Sequence, residues 1–285
     1  MRLFPLYLSA LLLLLLHACA PSSDPNEEVW LPLFDGDNFT DWTAKYTGYE
    51  LGHNYRNIFR VEDSLLQVRY APTDTFDNGF GHLFYKTPFS YYRLRATYRF
   101  VGQQMTGGPA WAFRNNGLML HCQSPQSMAI PQDFPISLEL QLLGGDGEGE
   151  RPTANLCTPG THVEMGDSLL TTHCVNSSAP TFHGDQWVTI EALVLGDSLH
   201  QYLVEDQVVL EYRHPTIGGG VVNGFDPEAK KDGQALGEGY IAIQAESHPI
   251  DFKSIELLNL CGCMDKKARN YRSYYLKGDK ASCLY

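Results

Sequence analysis

The sequence is dominated by short segments in which apolar and polar residues alternate, and this feature constrains the fold most. Residues 91–101, for example, read YYRLRATYRFV. A period of two is typical of a β-strand with one buried face, because successive side chains point to opposite sides. Similar segments, separated by Gly, Asp and Pro turns, cover residues 64–70, 187–195, 198–204, 208–212, 239–246 and 250–257. Because no segment of the domain keeps a helical period over three turns, we expect an all-β sandwich or jelly roll.

The N-terminus has the pattern of an export signal. Residues 3–16 form an apolar run that is too short for a good membrane span and is typical of a secretory signal peptide. The run ends in Leu-His-Ala-Cys, which resembles a bacterial lipobox. We expect residues 1–18 to be removed and Cys19 to be lipidated, with residues 19–28 as a flexible tether. The protein is then expected in the bacterial cell envelope, lipid-anchored and either periplasmic or surface-exposed. The alternative is an ordinary cleaved signal with a chance cysteine.

The charge balance narrows the range of partners. The chain has 33 acidic and 21 basic residues. A surface this acidic argues against nucleic acid and anionic headgroups as partners, whereas neutral sugars are indifferent to it. Aromatic residues make up 12% of the chain, and sugars stack on aromatic faces, although most of these rings are expected in the core. The sequence has no GxSxG elbow, phosphate loop or nucleotide fingerprint, which excludes serine-esterase and nucleotide-dependent functions.

The cysteines predict disulfides. After lipidation of Cys19 the domain keeps Cys122, Cys157, Cys174, Cys261, Cys263 and Cys283. An even number in an oxidising compartment favours disulfides over a zinc site. The segment between Cys157 and Cys174 reads as a hairpin with a turn at Gly166-Asp167, so its ends should meet and we expect these two cysteines to pair. Sequence alone does not choose among the remaining connectivities.

Five motifs occur in order along residues 31–257. They are LFDGDNF at 33–39 followed by a tryptophan, NNGL at 115–118, LELQ at 138–141, GDQW at 184–187 and GYIAIQ at 239–244. Together they resemble the LFDG…W, NSGI, YELQ, GEW and G-I-x-LQ elements of the 3-keto-disaccharide hydrolase family, also called domain of unknown function 1080. The resemblance implies a concanavalin A-like (jelly-roll) β-sandwich of two antiparallel sheets over residues 29–259. It also implies cleavage of glycosides already oxidised to a ketone at C3.

The sequence departs from the family pattern at three places. Ala245 and Glu246 follow the closing glutamine, where the family has Asp-His. Residues 252–255 read FKSI rather than FRNI, and His121 stands where arginine is common. These departures leave the identity of the catalytic residues open.

A cysteine-rich tail covers residues 260–285. Its pattern, GCxDxxAxNY…DxxSCxY, resembles a short C-terminal module of bacterial surface proteins. The resemblance implies a small turn-rich unit, closed by a disulfide between Cys263 and Cys283, with no chemistry of its own.

Three strands carry titratable groups opposite an apolar face. By alternation, Glu139 and Gln141 share one face of their strand, and Gln244 and Glu246 share one face of theirs. His121 is expected to project from its strand on the side opposite the leucines. We therefore expect a concave sheet with a polar floor on which His121, Glu139 and Glu246 converge. The alternative is a solvated outer sheet face.

Cleavage of a 3-keto-glycoside needs a base for the C2 proton, an acid for the leaving oxygen and a positive group near the developing enolate. His121 titrates near neutral pH and is the candidate base, with Glu139 or Glu246 as the acid. Arg114 or Arg151 could face the enolate oxygen, although a surface salt bridge is the more common role of either arginine. The candidates for substrate binding are Gln141, Gln244, Arg114, Arg151, His162, His248 and Trp111.

The leading interpretation is therefore a glycoside-cleaving hydrolase or lyase with a carbohydrate partner, and three alternatives stay open. A conventional glycosidase would use Glu139 and Glu246 as two carboxylates across the bond. A divalent metal could be held by His121, His162 and His248 together with a glutamate, although no HxH or HExxH spacing supports such a site. Apart from this metal, no cofactor is required. A non-catalytic, lectin-like lipoprotein would instead need stacking aromatics, for which the candidates are Trp111, Tyr49, Tyr55 and Phe80.

Overall fold

The structure, a computed structural model, describes residues 24–285. The predicted signal peptide and Cys19 lie outside the described residues, so the predictions made for them remain predictions.

Within residues 24–285 the chain forms nineteen strands and five short 3-10 helices. In chain order the strands are β1 (Leu31–Phe34), β2 (Trp42–Tyr46), β3 (Phe59–Glu62), β4 (Leu65–Val68), β5 (Gly81–Tyr85), β6 (Tyr91–Phe100), β7 (Asn115–Cys122), β8 (Leu138–Leu143), β9 (Asn155–Cys157), β10 (Thr161–Met165), β11 (Ser168–Leu170), β12 (Cys174–Val175), β13 (Val188–Leu195), β14 (Leu199–Val204), β15 (Gln207–Ile217), β16 (Tyr240–Ala245), β17 (Ile250–Asn259), β18 (Cys261–Gly262) and β19 (Lys277–Gly278). The 3-10 helices are Tyr55–Asn57, Ala110–Ala112, Pro125–Ser127, Pro227–Ala229 and Lys280–Ser282. In this part of the chain, no helix has the length and apolar character needed to cross a membrane.

Two large antiparallel sheets pack face to face. The ten-stranded sheet has the order β11-β10-β15-β14-β13-β6-β17-β4-β3, with β1 also paired to β17. The seven-stranded sheet has the order β12-β9-β8-β7-β16-β5-β2. The inner faces share one apolar core, to which Leu94 and Ile190 of the larger sheet and Leu118 and Leu140 of the smaller sheet contribute fully buried side chains. The predicted jelly-roll sandwich of two antiparallel sheets is confirmed.

Strand β6 shows how alternation determines the sheet faces. Every second residue from Tyr92 to Phe100 is buried, and the arginines between them point outward. There Arg93 pairs with Glu191 at 2.7 Å. Burying such a set of apolar side chains contributes roughly 25 cal/mol for each Å² removed from water, which fixes the face that turns inward.

The meander predicted over residues 187–212 is present as β13, β14 and β15. Its second turn contains Glu205 and Asp206, both at positive φ (47° and 63°). Two successive positive values give a two-residue hairpin the twist of its flanking strands. Strand β15 extends further than expected, to Ile217.

The long loop over residues 217–237 packs against the segment that leads into β8. A small apolar cluster, separate from the main core, joins Ile136, Ile217, Val222 and Leu236. The backbone N–H of Asn223 also donates a hydrogen bond to the Asp133 carboxylate at 2.8 Å. This loop therefore has a fixed position beside the segment that leads into β8.

The predicted pairing of Cys157 with Cys174 is confirmed. The two residues are directly opposed in the register of β9 and β12, and their sulfurs are bonded. The hairpin predicted between them forms β10 and β11, which belong to the other sheet. The disulfide therefore fixes the edge of the seven-stranded sheet where the chain passes to the ten-stranded one.

The C-terminal tail is a small unit beside the sandwich. Its strands β18 and β19 pair in parallel, and the predicted Cys263–Cys283 disulfide closes it. Among the cysteines of residues 24–285, Cys122 and Cys261 are free thiols.

Candidate active site

The outer face of the seven-stranded sheet carries a cavity of about 470 Å³. This volume lies in the range of sites that enclose a small molecule. Its polar lining consists of Asn115, Glu139, Gln141, Arg151, His173 and Glu246. Its apolar lining includes Trp111, Phe134, Leu143, Pro159, Val221 and the Cys157–Cys174 disulfide. Small-molecule sites in proteins usually have this form, with a small number of polar groups that converge inside a mostly apolar wall.

Strand β8 places Glu139 and Gln141 in the cavity floor. The leucines that alternate with them are fully buried in the core, so the two polar side chains must face outward. The neighbouring Gly117 on β7 makes room for the Glu139 carboxyl. A Cβ atom at residue 117 would lie 2.5 Å from Oε1 of Glu139. This close approach explains the glycine in the NNGL motif.

Glu246 follows the last residue of β16 and lines the same cavity as Glu139. The two side chains are 3% and 5% exposed, respectively. Burial raises the pKa of Glu139 from its usual 4.5 to about 8. Burial, and then the charge of Glu139, raises the pKa of Glu246 well above its usual value. Because two carboxylates in one low-dielectric cavity repel each other, the pair keeps at least one proton at neutral pH.

His121 does not join these carboxyls, so the expected convergence of three residues is wrong. Between β7 and β16 the register shifts from Ala242–Met119 to Tyr240–Cys122, which is a β-bulge. His121 lies at this bulge with a positive φ of 47°. The extra residue interrupts the alternation and turns the imidazole toward the ten-stranded sheet.

In that position the His121 ring packs between the two sheets. Its centroid lies 5.2 Å from that of His200 and 5.9 Å from that of Tyr92. Its Nδ1 hydrogen-bonds the Leu236 carbonyl oxygen at 3.1 Å. Burial lowers the pKa of His121 to about 4. The side chain is therefore a neutral core residue, remote from the cavity lining.

Of the two candidate arginines, only Arg151 lines the cavity. Its guanidinium donates hydrogen bonds to the carbonyl oxygens of Gly144 (2.6 Å), Arg114 (3.1 Å) and Trp111 (3.2 Å). Three backbone acceptors on one guanidinium hold the positive group in place at the cavity wall. Arg114 instead forms an ion pair with Asp185 at 2.9 Å.

The remaining predicted histidines do not reach the cavity either. The His162 ring lies against Gly218 and Gly219. The His248 ring packs on Phe113 at a centroid distance of 5.1 Å and is fully buried. With His121 in the core, the proposed set of histidines for a divalent metal does not come together.

Another group of potential metal ligands lies in the cavity wall. Within residues 24–285, Cys157, His173 and Cys174 are the three such side chains that lie close enough to share an ion. The two sulfurs are already joined in a disulfide, so they are not available as thiolate ligands.

Aromatic side chains form the rim. Trp111 is 54% exposed and lines the cavity mouth. Phe80 stacks near it, at a centroid distance of 6.1 Å, and Phe134 packs on Phe80 at 4.6 Å. Tyr49 and Tyr55, also expected near the groove, pack on each other at 4.8 Å and do not line the cavity.

Asn115, Phe134, His173 and Val221 also line the cavity, although they were not predicted from the sequence. Asn115 shares a face of β7 with Gly117, so alternation along the NNGL motif would have indicated it. His173 precedes Cys174, and the predicted disulfide would have brought it to the floor strands once the β8–β9 pairing was known. No sequence signal was available for Phe134 and Val221, because both lie in loops.

Over residues 29–258 the sequence matches the family of 3-keto-alpha-glucoside-1,2-lyase-like domains. The chain belongs to this family. The match covers the whole sandwich, and it confirms the resemblance carried by the five motifs. The cavity of this lyase-like domain is lined by residues of β7 and β8 and by Glu246, which directly follows β16; these three strands carry motifs that resemble those of the family.

Several solved structures are similar to this lyase-like domain in fold. They include a candidate glycosyl hydrolase from Parabacteroides distasonis (12% identity, 81% of this chain and 99% of that chain, TM-score 0.48), a carbohydrate-binding module from Bacillus subtilis (9% identity, 77% and 96%, TM-score 0.42) and LamAcat from Zobellia galactanivorans (10% identity, 76% and 91%, TM-score 0.42). No curated protein sequence matches the chain.

Proposed function

We propose that this lyase-like domain cleaves glycosides whose sugar is oxidised to a ketone at C3, and that Glu139 and Glu246 are the catalytic pair. The observation that carries the proposal is that two buried carboxyls with raised pKa values share one cavity. Carboxyls of raised pKa are typical of acid–base sites. Membership of the lyase-like family supports the 3-keto substrate.

The chemistry assigns one role to each protonation state of the pair. The carboxylate removes the C2 proton, which the C3 ketone acidifies, and an enolate forms. The enolate then re-forms the ketone, a double bond forms between C1 and C2, and the bond from C1 to the leaving oxygen breaks. The carboxylic acid gives its proton to that oxygen. Addition of water across the double bond, with the hydroxyl at C1 and the proton at C2, completes a net hydrolysis. Without that addition the reaction is a lyase reaction.

Each carboxyl opposes ionisation of the other, because like charges in one cavity repel. In this scheme one member of the pair is the base and the other is the acid. The base role that the sequence gave to His121 passes to this pair.

The developing enolate needs a positive group, and Arg151 provides it in this proposal. Its guanidinium lines the cavity and is held by three carbonyl oxygens before substrate arrives. A charge fixed in advance stabilises a transition state without reorganisation at the moment of reaction. Trp111, at the rim, offers an exposed face on which a sugar ring can stack.

A non-catalytic sugar-binding protein is the less favoured alternative. Stacking aromatics and neutral hydrogen-bonding groups suffice for a lectin. Burying two carboxyls opposes folding at neutral pH, so a protein that only binds sugars gains nothing from them. The proposal also retains the expected location, a lipid anchor at Cys19 in the bacterial cell envelope.

Turnover by matched variants tests the proposal. Wild type, Glu139→Gln and Glu246→Gln are incubated with a 3-keto disaccharide and with the same disaccharide unoxidised. Loss of an acid–base group is expected to lower the rate by about 10² to 10⁴ on the oxidised substrate. Glu238→Gln is the control, because Glu238 is exposed and does not line the cavity. Full activity of both cavity variants would reject the catalytic pair, and wild type that binds sugars without turnover would favour the lectin.

A further inference from the structure

A row of buried polar side chains crosses the outer face of the seven-stranded sheet next to the cavity. Lys45 on β2 lies opposite His82 on β5 in the strand register. His82 in turn lies opposite Gln244 on β16. All three are at most 1% exposed. Neither His82 nor Gln244 belongs to the cavity lining.

The row is continuous with the catalytic carboxyl. Gly117 on β7 lies opposite Gln141 of the cavity floor. The β7–β16 register, continued by one residue beyond its last pair, places Gln244 on the other side of Gly117. Glycine has no side chain, and the Glu139 carboxyl occupies the space above it. The polar groups therefore follow one another from Gln141 through Glu139 and Gln244 to His82.

The buried end of this row has no hydrogen-bond partners in the protein. Among residues 24–285, none pairs with either ring nitrogen of His82 or with either amide atom of Gln244. Each unpaired buried polar group opposes folding by roughly 1–3 kcal/mol, so a buried side chain with all of its polar atoms unpaired needs a physical explanation.

Gln132 provides the contrast, because it is an equally buried glutamine with partners. Its Nε2 donates hydrogen bonds to Gln123 Oε1 and to the Phe134 carbonyl oxygen, both at 2.8 Å. Its Oε1 accepts one from the Ala129 N–H at 3.2 Å. Both polar atoms of the Gln132 side chain are thus hydrogen-bonded within the protein, whereas neither polar atom of the Gln244 side chain is.

The free groups are suited to hydroxyls. Burial, and then the charge of Lys45, lowers the pKa of His82 to about 3, so its ring is neutral. A neutral imidazole and an amide each offer one kind of donor and one acceptor, which matches hydroxyl groups that both donate and accept. The Lys45 ammonium is engaged with the carbonyl oxygens of Tyr46 (3.0 Å) and Ile130 (3.1 Å).

Phe134 separates this end of the row from the cavity. Its ring lines the cavity and packs on His82 at a centroid distance of 5.8 Å. It is only partly buried and lies in a loop, whereas His82 and Gln244 belong to paired strands. Movement of the Phe134 ring is the change that would expose His82 to the cavity.

We propose that Gln244 and His82 form a subsite for hydroxyl groups on the edge of the sugar ring remote from the cleaved bond, and that Phe134 rotates away to admit it. This inference rests on the proposed function. With C1 and C2 at the carboxyl pair, the opposite edge of a pyranose carries C4 and its hydroxyl. The subsite therefore determines whether the enzyme recognises the C4 hydroxyl.

The test combines a variant with a modified substrate. For wild type, removing the C4 hydroxyl of a 3-keto-glycoside is expected to lower kcat/KM by about 10- to 100-fold, because it leaves polar groups of the subsite unpaired. Gln244→Met is expected to lose about as much on the normal substrate and to show no further loss on the 4-deoxy substrate. His82→Leu is expected to behave in the same way.

Stability gives a second readout that does not depend on turnover. Gln244→Met removes two unpaired buried groups and is expected to raise the Tm, whereas Gln132→Met removes three hydrogen bonds and should lower it. A Gln244→Met protein that is destabilised and keeps the full 4-deoxy penalty overturns the inference. Failure of wild type to act on any 3-keto-glycoside would reject the proposed function instead, before any variant is compared.

Discussion

Replacing Glu139 by glutamine is expected to stabilise the folded protein at neutral pH while it removes activity. The pKa of Glu139 is about 8 in the folded protein, against a usual value of 4.5. The folded state thus binds the proton more tightly than the unfolded chain does. Its contribution to stability is fully present below the unfolded pKa and is lost as the pH rises through the folded one. Each pH unit in that interval removes about 1.4 kcal/mol, so about 3 kcal/mol is lost between pH 4 and pH 7.

Glutamine resembles the protonated carboxyl in shape and does not titrate. Wild type and Glu139→Gln should therefore have similar free energies of unfolding near pH 4, and the variant should be more stable by about 3 kcal/mol near pH 7. Urea denaturation of both proteins at the two pH values measures the difference. Glu238→Gln removes an exposed carboxylate outside the cavity and is measured in parallel as the control.

A stability difference between wild type and Glu139→Gln that does not change with pH would contradict the raised pKa of Glu139. A variant that is destabilised near pH 7 would contradict it equally. Either result would mean that the buried carboxyl is ionised and well solvated or paired in the folded protein. The same variant measured in the turnover assay links the stability gain to the loss of activity, as expected where function opposes stability.

Two variants test the geometry of the site and of the bulge, and one measurement tests the lipid anchor. Gly117→Ala should displace the Glu139 carboxyl, since a Cβ at residue 117 would lie 2.5 Å from Oε1 of Glu139. The kcat is expected to fall at least about tenfold with little change in Tm, and an unchanged kcat would contradict the placement of Glu139. His121→Asn should tolerate the positive φ of 47° and lower stability through lost core packing, while the pH dependence of kcat/KM stays as in wild type. If the variant instead loses the rise of kcat/KM with pH that reports ionisation of the base, His121 is the base after all. Mass spectrometry of the mature protein should find a lipid on Cys19, and an unmodified N-terminus elsewhere would reject the anchor.

The fold could be predicted from the sequence because the patterns that determine its strands and hairpins lie within short segments of the chain. In β6 the burial alternates at every residue from Tyr91 to Phe100, as the letters alone indicate. The hairpins of the meander have turns of two or three residues, so neighbouring segments pair with each other. The Cys157–Cys174 disulfide was predicted for a related reason, although its strands are β9 and β12 rather than the hairpin itself.

The candidate site was only partly predictable because alternation fails at a bulge. Glu139 and Gln141 follow the period of two along β8, and both face the cavity as expected. His121 lies one residue after Leu120 and would face the same way as Glu139 in a regular ladder. A single inserted residue reverses its direction, and the sequence carries no mark of that insertion.

The other missed residues depend on contacts distant in sequence. The order β9-β8-β7-β16-β5-β2 brings together strands that are far apart in the chain. The polar row from Gln141 to His82 exists only in that order, so pattern analysis of single segments does not detect it. Phe134 and Val221 reach the cavity through loops whose conformation is set by tertiary packing.

The most direct test of the central claim is the fate of the C2 hydrogen during turnover in D₂O. Purified protein is incubated with a 3-keto disaccharide, and the oxidised sugar product is examined by mass spectrometry and NMR against a sample of that product held in the same buffer. Removal of the C2 proton by the carboxyl pair predicts a product that either carries deuterium at C2 or is unsaturated between C1 and C2, and Glu139→Gln should yield neither. Cleavage that leaves the original hydrogen at C2 would contradict the account, because a direct displacement at C1 does not touch that bond.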